Sequence, residues 1–311
     1  MTGSINRRDL ASADDSNDAE QGFVVTSASE TPPTRSVLGC ELFLIRISRP
    51  FLWPILPMVY YLGMHAAGAT LSAIAVVQMA LLTLPVNLVG CGLNDLYDIE
   101  SDRRNSRRRA VWSAVVVEVD HARIWRACIV MAPLVLVGSL LTRSWWNIAA
   151  TCGMLIVAWA YSVPPVRLKE RPPLDSLSNG LGYFLLPFVM GYSLGADPLA
   201  MPLKYWLLGL CVCGIHALAT AADFDADAAA GHRTFAVAFG QRSAAAFAAA
   251  TFLVALLVGN YRDVAVQFFL GMGAAAGVAA AAVPRDRVIA AACTTIFVGF
   301  LVAAICHVVG I

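Results

Sequence analysis

A succession of long apolar stretches fills almost all of the sequence after about residue 40, and this feature constrains the fold more than any other. Each stretch runs for about 17 to 25 residues, the length that an α-helix needs to cross the ~30 Å hydrocarbon layer of a bilayer. Nine stretches are predicted, at residues 42–66, 71–93, 122–142, 145–163, 174–195, 203–222, 241–259, 264–282 and 287–309. They lack the alternation of barrel strands. The predicted fold class is therefore an all-α membrane protein, a bundle of nine transmembrane helices.

The N-terminal forty residues differ from the rest in composition. They are rich in Ser, Thr, Asp and Ala and hold no apolar run long enough for a signal-peptide core. They also contain several acidic residues, whereas a mitochondrial transit peptide is Arg-rich and poor in acid. They include Asp9, Asp14, Asp15, Asp18 and Glu20. We predict a disordered polar tail at residues 1–40 and a single nine-helix transmembrane domain at residues 41–311.

The amount and placement of charge agree with a membrane protein. Hydrophobic residues make up 59% of the chain and charged residues 14%, against about a quarter in soluble domains. A net charge of +1 gives no basic footprint for nucleic acid. When Lys and Arg are assigned to alternate sides of the predicted helices, all 22 except Arg143, Lys204 and Arg262 fall on the side of the N-terminus. The positive-inside rule then predicts a cytosolic N-terminus and a C-terminus on the far side.

An acidic cluster follows the second predicted helix. Asn94, Asp98 and Asp102 are spaced four residues apart, so a helix continuing through them places all three on one face. Like charges at this spacing repel each other unless a cation bridges them. Mg²⁺ is bound by one or two carboxylates together with substrate phosphate oxygens. The spacing therefore favours a magnesium site, and a solvated loop that caps the helix is the alternative.

A second acidic cluster follows the sixth predicted helix. Asp223 and Asp227 share a helical face, whereas Asp225 points elsewhere. Charged residues at membrane depth are costly and usually functional, facing the bundle interior. Two carboxylate pairs at equivalent helix ends suggest two metal ions that face one central site. His216, inside the sixth helix, is interpreted as an interhelical hydrogen-bonding residue rather than a base.

A segment between the two clusters supplies cations on the same side. Pro164-Pro165 must end the fourth helix, and the chain then presents Arg167 and Lys169. Cations next to metal-bound carboxylates are what a polyphosphate site requires, because they bind the oxygens that the metal leaves uncovered. The apolar interior beneath is suited to a long hydrocarbon tail.

The three segments resemble the loop motifs of the UbiA superfamily of intramembrane prenyltransferases. They read N-D-x-x-D-x-x-x-D at 94–102, Y-S-x-P-P-x-R-x-K at 161–169 and D-x-x-x-D-x-x-x-G-x-R-T at 223–234. The resemblance implies Mg²⁺ as cofactor and an isoprenyl diphosphate as substrate. It implies a first metal site of Asn94, Asp98 and Asp102, a second of Asp223 and Asp227, diphosphate contacts from Arg103, Lys169 and Arg233, and Arg49, Tyr161 and Arg167 as neighbours.

Departures from the motifs bear on the acceptor. Many quinone-forming members continue the first motif with R-T-x-x-R-P, whereas residues 105–109 read N-S-R-R-R. This difference argues against a 4-hydroxybenzoate-type acceptor, and the stretch at 174–180 looks more like the lycopene-elongase branch. The favoured function is transfer of a prenyl group to a lipophilic acceptor. A UbiA-type terpene cyclase, which needs no acceptor, is the second reading. A transporter is a distant third, because transporters typically show internal repeats and broken helices at the midplane, whereas the charge of this chain lies at one membrane face.

Overall fold

We describe the fold from a computed structural model, which describes residues 37–98 and 120–309, with side chains from residue 42 onward. Every regular element in these two ranges is helical, which confirms the predicted all-α class. Asp102 and Arg103, both predicted to belong to the site, lie outside the described residues.

The α-helices of these ranges are named in chain order. They are α1 (Val37–Ile47), α2 (Ile55–Ala66), α3 (Ala73–Leu81), α4 (Leu84–Tyr97), α5 (His121–Leu140), α6 (Trp145–Ser162), α7 (Leu174–Gly180), α8 (Leu186–Tyr192), α9 (Leu203–Ala222), α10 (Phe224–Ala230), α11 (Phe235–Phe239), α12 (Gln241–Val258), α13 (Val264–Ala282) and α14 (Asp286–Val309). Short 3₁₀ turns occupy Pro50–Leu52, Leu168–Glu170 and Pro198–Ala200, and a π-helical turn at Leu181–Leu185 joins α7 to α8.

Among the described residues, six helical segments are long and apolar enough to cross a bilayer. They are Ala73–Tyr97, which combines α3 and α4, and the helices α5, α9, α12, α13 and α14. The other three predicted spans are also helical. Residues 42–66 are divided between α1 and α2, residues 145–163 correspond to α6, and residues 174–195 contain α7, the π turn and α8. The number of nine spans therefore stays a prediction.

Proline accounts for the interruptions of the predicted spans. Pro50 and Pro54 lie between α1 and α2, and Pro187 follows the π turn. A proline inside a helix removes one backbone donor and its ring clashes with the preceding turn. Arg49, at the first of these breaks, has a left-handed backbone with φ 52°. Arg49 therefore lies in the break between α1 and α2 and not within a helix.

Small residues allow close packing of the helices that carry the site. A Cβ added at Gly63 of α2 would lie 2.1 Å from the carbonyl oxygen of Phe188 in α8. A Cβ at Gly180 of α7 would lie 2.6 Å from the carbonyl oxygen of Gly209 in α9. Since helices associate in lipid by close van der Waals contact, Gly63 permits the close approach of α2 to α8 and Gly180 that of α7 to α9. The second acidic motif thus begins at the end of a tightly packed helix, α9.

Candidate active site at the paired acidic motifs

A cavity of about 150 Å³ lies where the two acidic motifs meet. It is lined by Asn94, Asp98, Tyr161, Lys169, Glu170, His216, Ala219, Thr220, Asp223, Ala226, Asp227, His232 and Thr234. All three sequence motifs thus contribute to one cavity, as their common side of the predicted bundle requires. We call it the acidic cavity.

Asp98 lies at the end of α4. The helix ends at Tyr97, and Asp98 has non-helical backbone angles of φ −116° and ψ 10°. The expectation of a helix continuing through Asp98 is therefore wrong, because this residue forms the cap. Its carboxylate still faces the acidic cavity and is buried, with 7% of the residue exposed.

Lys169 binds the first acidic motif directly. Its Nζ lies 2.5 Å from Oδ1 of Asp98 and 3.2 Å from Oδ1 of Asn94. As predicted, α6 ends before the two prolines, at Ser162, and the 3₁₀ turn Leu168–Glu170 then carries the lysine back to α4. The ammonium group therefore neutralises Asp98 from within the cavity.

A chain of ionic contacts connects the proline-rich segment to the third motif. A guanidinium nitrogen of Arg167 lies 3.5 Å from Oδ1 of Asp98 and 2.8 Å from Oε1 of Glu170. The same glutamate oxygen lies 2.5 Å from Nδ1 of His232. Neither Glu170 nor His232 was predicted as a site residue. These contacts hold the loops after α6 and α9 together on one side of the acidic cavity.

The second acidic motif begins where α9 ends. The backbone N–H of Asp227 donates to the carbonyl of Asp223 over 2.9 Å, so a helical turn persists between the two residues. Both side chains line the acidic cavity, whereas Asp225 is exposed and lies away from it, as the spacing predicted. The hydroxyl of Thr234 donates to Oδ2 of Asp227 over 3.0 Å. Arg233, next to that threonine, is exposed and does not line the cavity.

The side chains of the acidic cavity are suited to magnesium. Asp98 and Asn94 line the same cavity as Asp223 and Asp227, and hard oxygen donors are those that Mg²⁺ prefers. Within residues 42–98 and 120–309, no group of three His, Cys, Asp or Glu side chains converges on one point. Each motif there offers at most two carboxylates, which suits an ion whose remaining ligands are phosphate oxygens and water.

A second cavity, of about 250 Å³, adjoins the first and is here called the apolar cavity. It is lined by Arg49, Leu56, Val86, Asn87, Gly90, Cys91, Asn94, Met154, Val157, Ala158, Tyr161, Ser178, Asn179, Gly182, Tyr183 and His216. Asn94, Tyr161 and His216 line both cavities. A guanidinium nitrogen of Arg49 lies 2.6 Å from Oδ1 of Asp95, so this arginine is held against α4 by a carboxylate.

His216 connects three helices at the boundary of the two cavities. Its Nε2 lies 3.0 Å from the hydroxyl of Tyr161 in α6, and its Nδ1 lies 3.1 Å from the hydroxyl of Ser176 in α7. His216 therefore makes the predicted hydrogen bonds between helices. The same contacts place a histidine and a tyrosine where the two cavities meet.

Asp175 is a buried carboxylate that sequence reasoning missed. It is fully buried in the first turn of α7 and accepts hydrogen bonds from the backbone N–H groups of Ser176, over 2.8 Å, and Phe235, over 2.7 Å. The hydroxyl of Thr220 accepts from the backbone N–H of Ala236 over 3.1 Å. Together these side chains satisfy the free donors at the start of α11 and anchor the segment that carries Thr234.

The family comparison matches most of the chain. The model of the UbiA prenyltransferase family matches residues 51–295. A lycopene elongase/hydratase of Halobacterium salinarum is 34% identical over 71% of this chain and 80% of its own length. A protein of the same description from Haloferax volcanii is 31% identical over 80% of this chain and 83% of its own length. These relatives confirm the resemblance to the lycopene-elongase-like branch.

Solved structures share the fold. A UbiA homologue from Archaeoglobus fulgidus bound to GPP and Mg²⁺ superposes with a TM-score of 0.60, covering 84% of this chain and 99% of that one at 21% identity. A structure concerned with digeranylgeranylglyceryl phosphate synthase gives a TM-score of 0.63, covering 88% of this chain and 98% of that one at 17% identity.

Proposed function

The chain belongs to the UbiA prenyltransferase family, and from this premise we propose that it is a Mg²⁺-dependent intramembrane prenyltransferase. It ionises an isoprenyl diphosphate and transfers the prenyl group to a lipophilic acceptor. The observation that carries the proposal is the meeting of Asp98, Asp223 and Asp227 with Lys169 on one cavity whose wall is shared with a second cavity. Oxygen donors and a cation thereby lie next to a space for hydrocarbon.

The acidic cavity is proposed to hold the diphosphate. Asn94, Asp98 and Asp102 would hold one Mg²⁺, and Asp223 and Asp227 a second. Bound Mg²⁺ would stabilise the charge that develops on the departing diphosphate. Breaking the carbon–oxygen bond leaves an allylic cation and places both bonding electrons on diphosphate.

Cationic side chains are proposed to bind the diphosphate oxygens that Mg²⁺ leaves uncovered. Lys169 already lies in the acidic cavity, and Arg167 lies next to it through Asp98 and Glu170. Arg103 and Arg233 are proposed as further diphosphate contacts. Charge-assisted hydrogen bonds from such groups are roughly twice as strong as neutral ones.

The apolar cavity is proposed to hold the reacting end of the acceptor. Leu56, Val86, Met154 and Val157 line it, and its one lining arginine, Arg49, is engaged by Asp95. An acceptor carboxylate would have to compete with that aspartate, whereas an alkene would not. Because relatives are described as lycopene elongases, we propose an acyclic polyene of the lycopene type as acceptor.

The chain is an integral membrane protein, and we propose that the motif loops face the cytosol.

The test compares two aspartates of the same segment. Purified protein is incubated with DMAPP or GPP and Mg²⁺, with and without lycopene, and the products are identified by mass spectrometry. Asp227→Asn should abolish transfer, because Asp227 lines the acidic cavity. Asp225→Asn, two residues away and exposed, is the matched control and should retain wild-type turnover.

Two results would contradict the proposal. Equal turnover of the two variants would mean that Asp227 has no role in catalysis. A cyclised hydrocarbon formed from the prenyl diphosphate without lycopene would instead identify a terpene cyclase.

A further inference from the structure

His216 is a half-buried titratable residue that the ionisation step does not use. Its ring lines both the acidic cavity and the apolar cavity. It makes two hydrogen bonds, both to hydroxyl groups, those of Tyr161 and Ser176. Neither partner is a carboxylate or a cation that would fix the charge of the ring. This environment is suited to a neutral imidazole that accepts a proton for part of a reaction cycle.

Transfer of a prenyl group to an alkene requires such an acceptor. When an acceptor double bond attacks the allylic cation, a new carbon–carbon bond forms and the positive charge moves to an acceptor carbon. The cation can then lose a neighbouring proton, whose bonding electrons become a new double bond. Alternatively, water adds to the cation and the resulting oxonium loses a proton. A positioned base therefore decides between an alkene and an alcohol.

We propose that Tyr161 and His216 form a proton relay that deprotonates this cationic intermediate. The proposal rests on the proposed function, because it presupposes an alkene acceptor. The phenol oxygen of Tyr161 takes the proton from carbon while its own proton passes to Nε2 of His216, 3.0 Å away. The imidazole becomes imidazolium, and the carbon–hydrogen bonding pair becomes the new double bond.

The relay uses the tautomer of His216 that carries its proton on Nδ1. With its proton on Nδ1, His216 donates to the hydroxyl of Ser176, 3.1 Å away, and its bare Nε2 accepts from Tyr161. After proton transfer both ring nitrogens carry a proton, and Ser176 still accepts from Nδ1. Ser176 is thus a positioning residue, whereas Tyr161 faces the reacting carbon at the junction of the two cavities.

The experiment measures how each turnover ends. Wild type, His216→Gln and Tyr161→Phe are incubated with DMAPP, Mg²⁺ and lycopene, and the ratio of alkene to alcohol product is determined together with the rate of diphosphate release. Both variants should lower the alkene-to-alcohol ratio about tenfold or more, because a positioned base contributes at least about a hundredfold to proton transfer. The rate of diphosphate release is compared beside the ratio, because ionisation precedes the relay and a change in ionisation is thereby separated from a change in deprotonation.

Cys211→Ala is the matched control. Cys211 lies in α9, like His216, but it is buried and lines a different cavity, of about 410 Å³, which shares no described lining residue with the other two. This variant should keep the wild-type product ratio. Variants that elute as folded, helical protein in detergent are compared, and Gln retains hydrogen-bonding groups at position 216.

The outcomes separate the relay from the proposed function. An unchanged product ratio in His216→Gln, or a change in that variant but none in Tyr161→Phe, overturns the relay while leaving prenyl transfer intact. If wild-type protein gives no lycopene-derived product with any prenyl diphosphate, the relay and the alkene acceptor both fall.

Discussion

Lys169 allows the sharpest test of how the acidic cavity works. The sequence contains two lysines, Lys169 and Lys204. The ammonium of Lys169 lies 2.5 Å from Asp98, and both side chains are almost buried, with 8% and 7% exposed. Replacing Lys169 with Met keeps most of the aliphatic stem but removes the charge, so Asp98 loses its nearest cation.

The loss of stability follows from this burial. Removing one partner of a buried ion pair costs about 3–5 kcal/mol, because the other charge stays buried. Arg167 remains 3.5 Å from the same oxygen of Asp98, so we expect the lower end, about 3 kcal/mol. Without a metal, Lys169→Met should therefore unfold at a lower temperature than wild type. Mg²⁺ should restore part of the difference, since it can neutralise Asp98 in place of the ammonium.

Lys169→Met should need less Mg²⁺ than wild type but should have a lower kcat/KM for the prenyl diphosphate. With the competing ammonium removed, half-maximal activity should require less Mg²⁺. The variant also loses one charge-assisted contact to the diphosphate, worth about 1.5–3 kcal/mol, or roughly ten- to a hundredfold in kcat/KM. Lys169→Arg should recover only part of this, because a planar guanidinium places its donors differently.

The assay measures kcat/KM for the prenyl diphosphate, the Mg²⁺ requirement and the thermal midpoint with and without Mg²⁺. Lys204→Met is the control, because Lys204 lies over the ring of Tyr205, 5.0 Å from its centroid, and lines neither the acidic nor the apolar cavity. Wild-type kinetics with an unchanged Mg²⁺ requirement in Lys169→Met would refute the reasoning. Lys169 would then contribute only to the orientation of the chain in the membrane.

Three further predictions follow from other groups. Excess EDTA should abolish turnover and added Mg²⁺ should restore it. Full activity in EDTA would contradict the proposed metal sites. Asp175→Ala should lower the free energy of unfolding by about 1–3 kcal/mol and speed amide exchange at Phe235, which loses its acceptor; unchanged exchange would contradict this. Burial alone would raise the pKa of Asp263, but hydrogen bonds from His307 and the backbone N–H of Val266 hold it below its ordinary value. The carboxylate thus stabilises the fold above that ordinary value and this contribution is lost as the pH falls through the lowered pKa, so Asp263→Asn should flatten the acid limb of a plot of thermal midpoint against pH.

The helical fold was accessible from sequence because it depends on local properties. Length and apolar composition identify helices for a bilayer without any knowledge of their neighbours. The breaks were harder to predict, since Pro133 lies inside the continuous α5 whereas Pro50 and Pro54 interrupt the first segment. A proline in a membrane helix breaks it only where neighbouring groups can satisfy the freed carbonyls, and those groups are tertiary.

The sequence could predict those site residues that share a helical spacing. Asp223 and Asp227 are one turn apart, so their common side could be inferred from the sequence. Glu170, His232 and Asp175 were missed because their roles depend on partners about sixty residues away. One signal was present in the sequence: Asp175 follows Pro173 at the start of an apolar span, a position where a carboxylate has to find a donor.

The charge balance of the acidic cavity explains why these motifs imply a metal at all. Its described lining residues include four carboxylates, those of Asp98, Glu170, Asp223 and Asp227, and one ammonium, that of Lys169. Arg167 offsets part of the excess from one side. A diphosphate would add further negative charge to a space of about 150 Å³, where low solvent access weakens screening. Binding the anion would therefore require cations that arrive with it, and two divalent ions, one held by each motif, would meet that requirement with the least volume.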